Sequence, residues 1–147
     1  MDSTSNESPR TREFATEILN ESQWPNALQS VIAVLRKNRV ETVKAEFGFV
    51  LERDLRGEEQ MKDAFVPLET LSSFIEGGLD EGTIEWSGNS NFVFSPVGIN
   101  LRVMLCDDAD LHFSSPDMAL LGEISRALIA CGVKVYDSGK LVSPDSY

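Results

Sequence analysis

The sequence predicts an α+β fold: an N-terminal helical hairpin packed on a mostly antiparallel sheet of about five strands, closed by a C-terminal strand-helix-strand unit. Three observations carry this. Val43, Ala45, Phe47, Phe49 and Leu51 alternate with polar or small neighbours, Val50 being the one break, which is the period of a half-buried strand. Three short apolar runs, Thr83 to Ser87, Asn91 to Ser95 and Ile99 to Cys106, are joined by Gly88-Asn89-Ser90 and Pro96-Val97-Gly98, turn residues at meander spacing. Met118, Leu121, Ile124, Leu128 and Cys131 share one helical stripe that stops at Gly132.

Taken in order, residues 1–8 lack apolar periodicity and read as a tail. From Pro9, the spacing of Phe14, Ile18 and Leu19 predicts a first helix, which Asn20 to Pro25 interrupts. A second helix from Pro25 to Asn38 places Leu28, Val31, Ile32 and Leu35 on one face. Arg36, Lys37 and Arg39 crowd its last turn, where positive charge suits the macrodipole. Arg53 to Met61 reads as a charged loop and Ala64 to Val66 as a short extended piece. Pro67 to Glu76 is a short helix that Gly77 and Gly78 should cap. After the acidic segment Asp107 to Asp110, Ser114 or Ser115 offers an N-cap for the last helix, with Pro116 in its first turn. Val133 and Val135 begin a final strand, either a right-handed crossover or an antiparallel neighbour of another strand. Ser138-Gly139 is a turn, and residues 141–147 form a tail beyond a single domain spanning 9–140.

The chain has 147 residues, of which 41% are hydrophobic. A domain of this size buries about 68–70% of its unfolded surface, so it needs no disulfide or metal for stability. Cys106 and Cys131 are too few for a disulfide framework and read as reduced core thiols. No window reaches 18 apolar residues and the N-terminus has no apolar leader segment, so a cytoplasmic protein is expected.

Charge is the most informative bulk property. Residues 1–40 balance five acids with five bases, so the net charge of −11 arises entirely after residue 40, where 19 acids face 8 bases. The densest stretch, Asp54 to Glu85, sets nine acids against Arg56 and Lys62. Such a surface repels phosphate backbones and anionic lipid, which excludes nucleic acid and membrane as natural partners, and it speeds association with a basic protein.

The sharpest chemical constellation is Asp107-Asp108-Ala109-Asp110-Leu111-His112. If the preceding strand continues, Asp108, Asp110 and His112 point to one side and could converge on a divalent metal. The same residues also suit an acidic turn that leads into a helix, and the central glycine and closing glutamate of a calcium loop are absent. His112 is the only imidazole, so any histidine-based triad must use it. No Gly-x-Ser-x-Gly elbow occurs, and the apolar neighbours of Cys106 favour an inert thiol over a Cys106–His112 dyad. No phosphate-binding loop is present, and Gly77, Gly78 and Gly82 stand among acids. Trp86, Phe92 and Phe94 read as the inner face of the sheet, with Trp86 the member best suited to an interface.

By elimination the sequence favours a small acidic binding protein without catalytic activity or cofactor. Its composition is similar to that of bacterial immunity proteins and nuclease inhibitors, which block basic toxin domains by charge complementarity; no motif carries over. On this expectation the partner-binding residues are Asp54, Glu58, Glu59, Asp80, Glu81, Glu85, Trp86, Asp107, Asp108 and Asp110. The alternative is a metal-dependent enzyme or metal-binding domain centred on Asp108, Asp110 and His112. Aromatic sheet faces are also compatible with a homodimer.

Overall fold

The computed structural model describes residues 11–49, 64–81, 90–105 and 109–143. The strands are β1 (Arg12–Thr16), β2 (Thr42–Phe49), β3 (Ala64–Pro67), β4 (Ser90–Pro96), β5 (Arg102–Leu105), β6 (Leu111–Ser115), β7 (Val135–Asp137) and β8 (Lys140–Leu141). The helices are α1 (Gln23–Lys37), α2 (Leu71–Glu81, entered through a 3-10 turn at Leu68–Thr70) and α3 (Met118–Ala130). All eight strands join one sheet in the order β3-β2-β4-β5-β6-β1-β7-β8, and every neighbouring pair is antiparallel.

The largest departure from expectation is β1. The segment expected to be the first helix of a hairpin is instead an interior strand, so among the described residues there are eight strands rather than about five, and no N-terminal helical hairpin. On one side Phe14 faces Phe113 of β6, and on the other Ala15 faces Tyr136 of β7. The cause is tertiary. β6 and β7 each run antiparallel to β1 and hence parallel to each other, so the crossover through α3 leaves an open slot between them. Ladder groups on both sides of the slot need partners, and Arg12–Thr16 supplies them while burying Phe14 and Thr16. Ile18, expected on the buried stripe of a helix, is left exposed.

β6 is the second departure. The stretch from Asp107 to Ser115 was expected to be loop, yet Leu111–Ser115 forms a strand with Leu111, Phe113 and Ser115 facing inward. The helix after it starts later than expected: Asp117 is the N-cap and accepts from the Leu120 N–H at 3.1 Å, while Ser115 Oγ accepts from the Asp117 N–H at 3.0 Å. The expected strand at Thr83–Ser87, the loop at Arg53–Met61 and residues 1–8 lie outside the described residues.

The helices end as backbone chemistry dictates. α3 closes with a Schellman motif in which Gly132 takes φ +92°, Val133 N–H donates to Leu128 O at 3.0 Å, and Gly132 N–H donates to Ile129 O at 2.9 Å. α1 closes the same way without glycine: Arg39 sits at φ +66°, Arg39 N–H donates to Arg36 O, and Val40 N–H donates to Leu35 O, both at 3.0 Å. The buried Val40 supplies the apolar contact that makes this cap worthwhile. At its start α1 carries a reciprocal box, since Gln23 N–H donates to Asn20 Oδ1 at 2.8 Å and Asn20 N–H donates to Gln23 Oε1 at 3.0 Å. The residues expected to interrupt the helix are thus its start signal.

Gly77 and Gly78 do not cap α2, which runs through both to Glu81. Burial of Leu71, Ile75 and Gly78 against the core outweighs the roughly 1 kcal/mol that each glycine costs in a helix. A Cβ at Gly77 would meet nothing within 4 Å. Gly77→Ala is therefore expected to stabilise the fold by about 0.5–1 kcal/mol, read as a higher urea midpoint at unchanged m-value.

All three helices cover one face of the sheet. Phe14, Phe92, Phe94, Val103, Leu105, Leu111 and Phe113 point toward them in a single buried cluster with Leu28, Leu35, Leu71, Leu121 and Leu128. The Phe74 ring of α2 packs on Phe92 with centroids 6.0 Å apart, and Gln29 of α1 hydrogen-bonds Ser72 of α2. α1 and α3 pack side by side and are tied by Glu123, which takes Lys37 Nζ at 3.0 Å and the Asn38 side-chain amide at 3.2 Å. The Lys37 hydrogen bond holds the Glu123 carboxyl below the usual carboxylate range, against the opposing effect of partial burial, with smaller help from Asn38 and Arg126. A lowered folded-state value means that stability is present above the ordinary carboxylate range and is lost as pH falls through it. Glu123→Gln is expected to cost less than about 1 kcal/mol at pH 7, with the difference from wild type closing toward pH 3 in thermal melts.

Candidate functional site

Strand pairing gathers the termini of most strands at one end of the sheet. Phe49 pairs with Ser90, Phe92 with Leu105, Leu105 with Leu111, and Thr16 with Val135. At this end β1, β2 and β5 finish, while β3, β4, β6 and β7 begin. The ends that flank residues 50–63 and 106–108 belong to it, as does the start of β4 that follows residues 82–89. In sequence those three segments hold eight acids, Glu52, Asp54, Glu58, Glu59, Asp63, Glu85, Asp107 and Asp108, against Arg53, Arg56 and Lys62. Glu17, Glu21, Asp110 and Lys134 are described charged residues of the same end. The opposite end of α1 carries Arg36, Lys37 and Arg39, with Glu41, Glu69 and Glu123 beside them.

Of the residues expected to bind a partner, Asp80 is exposed on the last turn of α2, Glu81 ends that helix, and Asp110 lies in the turn before β6. Asp54, Glu58, Glu59, Glu85, Trp86, Asp107 and Asp108 lie outside the described residues. Phe92 and Phe94 are buried under the helices, as an inner face requires. Cys131, expected in the core, is exposed at the C-cap of α3, because the helix stripe has rotated away from the sheet by its last turn. Cys106 is outside the described residues.

The Asp107–His112 stretch does not continue the preceding strand. The chain turns back, with Ala109 at φ +67°, and His112 sits in β6 on the sheet face opposite the helices. There Nε2 lies 3.2 Å from Asp110 Oδ1, and Nδ1 lies 3.3 Å from Glu13 Oε2 of β1. Asp110 Oδ1 is buried and makes no aligned hydrogen bond, although the imidazole Nε2 stands beside it. Glu13 and Asp110 flank opposite ring nitrogens and cannot share one ion with His112. No group of three or more metal-ligating side chains occurs among the described residues, and Asp108 is not one of them. Sequence reasoning missed Glu13 because it placed that residue on a helix. The one available signal was the alternation of Phe14 and Thr16 with Glu13 and Ala15.

The turn is well anchored. Leu19 N–H donates to Ala109 O at 2.8 Å, and Thr16 Oγ1 accepts from the Leu111 N–H at 3.0 Å while donating to Glu17 O at 2.8 Å. Glu17 joins the start of β7, its N–H donating to Lys134 O and its Oε2 accepting from the Lys134 N–H, both at 3.0 Å. At the other end, Arg36, Val40, Glu41, Leu68 and Glu69 line a cavity of about 400 Å³ whose charges are mixed in sign. No helix among the described residues is long and apolar enough to cross a membrane. No protein-family model matches this chain, and no curated protein or solved structure matches it either.

Proposed function

We propose that this chain is a non-catalytic binding protein that holds a basic partner protein against the acidic end of its sheet, in the manner of an inhibitor or immunity-type protein. The observation that carries the reading is the convergence of strand ends around the acid-rich segments. In sequence, the segments that connect these strand ends hold eight acids against three bases, and the described Glu17, Glu21 and Asp110 lie at the same end beside Lys134. Charge gathered in this way steers a basic partner and fixes its orientation. Neutralising a toxic basic domain in the cytoplasm is a role that such a surface fits.

The test is capture from lysate of the source cells at about 50 mM and about 500 mM salt, a range over which exposed charges become screened. The partner is expected at low salt and absent at high salt. It should also be lost from a variant carrying amides at Asp54, Glu58, Glu59, Asp107 and Asp108. A partner that is retained by this variant, or the lack of any salt-sensitive basic partner, would overturn the proposal.

A further inference from the structure

The structure assigns a small-molecule site to the cavity beside the last turn of α1, and its ligand class is a free α-amino acid with an aliphatic side chain. The inference goes beyond the partner-binding reading and does not depend on it. The cavity volume of about 400 Å³ lies within the roughly 300–1,000 Å³ of small-molecule sites. Arg36 enters its lining from the last turn of α1, Val40 and Glu41 from the link to β2, and Leu68 and Glu69 from the 3-10 turn after β3.

The lining offers three kinds of chemistry, and each answers one group of such a molecule. Val40 and Leu68 are only 6% and 3% exposed and give an apolar floor for an aliphatic side chain. Arg36 presents a guanidinium, whose fork matches a carboxylate. Glu41 and Glu69 present two carboxylates, which the three N–H groups of one ammonium can bridge. These three charged side chains are exposed, and among the described residues none of them makes an ion pair or a hydrogen bond. Lys37, next to Arg36 on the same turn, is by contrast held by Glu123 at 3.0 Å. Opposite charges that border one cavity without pairing across it leave their neutralisation to a molecule that carries both signs. A simple anion meets two carboxylates and a simple amine meets the guanidinium, so a zwitterion matches the lining better than either.

The walls are ordered before any ligand arrives. Arg39 at φ +66° closes α1, and Val40 N–H donates to Leu35 O at 3.0 Å, which fixes the first wall. Leu68 N–H donates to Glu41 O at 2.8 Å and ties the second wall to the first, while Thr70 Oγ1 donates to Pro67 O at 3.0 Å within the turn. Binding therefore orders side chains only, which keeps its entropic cost low.

The test is calorimetric titration of the full chain with four probes: L-leucine, isopentylamine, which lacks the carboxylate, 4-methylpentanoate, which lacks the amine, and glycine, which lacks the side chain. Leucine is expected to bind one-to-one with a Kd of about 1 mM or tighter, within reach of a ligand of its size. The other three should bind at least about tenfold more weakly, since each leaves part of the lining unanswered. Arg36→Gln should weaken leucine by at least about tenfold without weakening isopentylamine, and the double variant Glu41→Gln with Glu69→Gln should weaken leucine to a similar degree. Urea midpoints of these variants should stay close to wild type because the side chains are exposed and unpaired, and Lys37→Gln should leave leucine binding unchanged. No saturable leucine binding up to about 20 mM, equal binding of leucine and isopentylamine, or leucine binding indifferent to Arg36→Gln would overturn the site.

Discussion

Deleting residues 1–16 is expected to abolish cooperative unfolding, with thermal melts by circular dichroism becoming broad and shallow. β1 pairs with β6 on one side and β7 on the other, so its loss cuts the sheet in two and strands the ladder groups of both neighbours. Phe14, fully buried, leaves the core with it. Losing one buried phenylalanine costs about 3–5 kcal/mol, and each stranded backbone group costs about 1–3 kcal/mol more. The sum is on the order of the entire 5–15 kcal/mol by which a domain is stable. A peripheral N-terminal helix would be lost at far smaller cost. A sharp transition at the wild-type midpoint in the truncated chain would therefore disprove the interior placement of β1.

Phe113→Ala is expected to destabilise the fold by about 3–5 kcal/mol in urea titrations, the cost of an unfilled aromatic site in a close-packed core. Phe113 is fully buried, and its ring centroid lies 5.7 Å from that of Phe14 at an interplanar angle of 54°. The two rings face each other across the β1–β6 ladder. A double-mutant cycle with Phe14→Ala should return a coupling of about 0.5–1.5 kcal/mol, since a tilted aromatic pair gains beyond its buried area. Additive effects would mean that the rings fill separate spaces, and the pairing of β1 with β6 would then be wrong.

What the sequence discloses and what it hides divide along the range of the forces involved. The stripe of α3, the Gly132 cap, the alternation through Val43 and Ala45, and the Ser138-Gly139 turn all follow from residues within a few positions of one another. The structure keeps each of them, the last as a two-residue hairpin in which both central residues have positive φ. Arg12–Thr16 is different. Its partners lie about a hundred positions away, and a segment with Phe14, Ile18 and Leu19 at helical spacing gives no local hint of the slot it fills. Leu111–Ser115 was masked by the acidic residues before it and by the helix signals after it. Gly77 and Gly78 misled because local propensity was stronger in the reading than in the molecule, where burial of Ile75 decides. The same long-range pairing hid the candidate site. Glu13 meets His112, and Leu19 meets Ala109, only once β1 has entered the sheet.

The interior position of β1 also orders events in time. β1 is made long before its partners and must wait for β6 and β7, the latter ending at Asp137. At about 5–20 residues per second the wait for the intervening chain is roughly 5–25 s. Until then Phe14 and the ladder groups of Arg12–Thr16 have no native partner to meet. The sheet therefore closes only after Asp137 has been made, and contacts of such long sequence separation form slowly even afterwards. A chain halted at residue 110 would contain β1 to β5 yet lack both strands that hold the first of them in place.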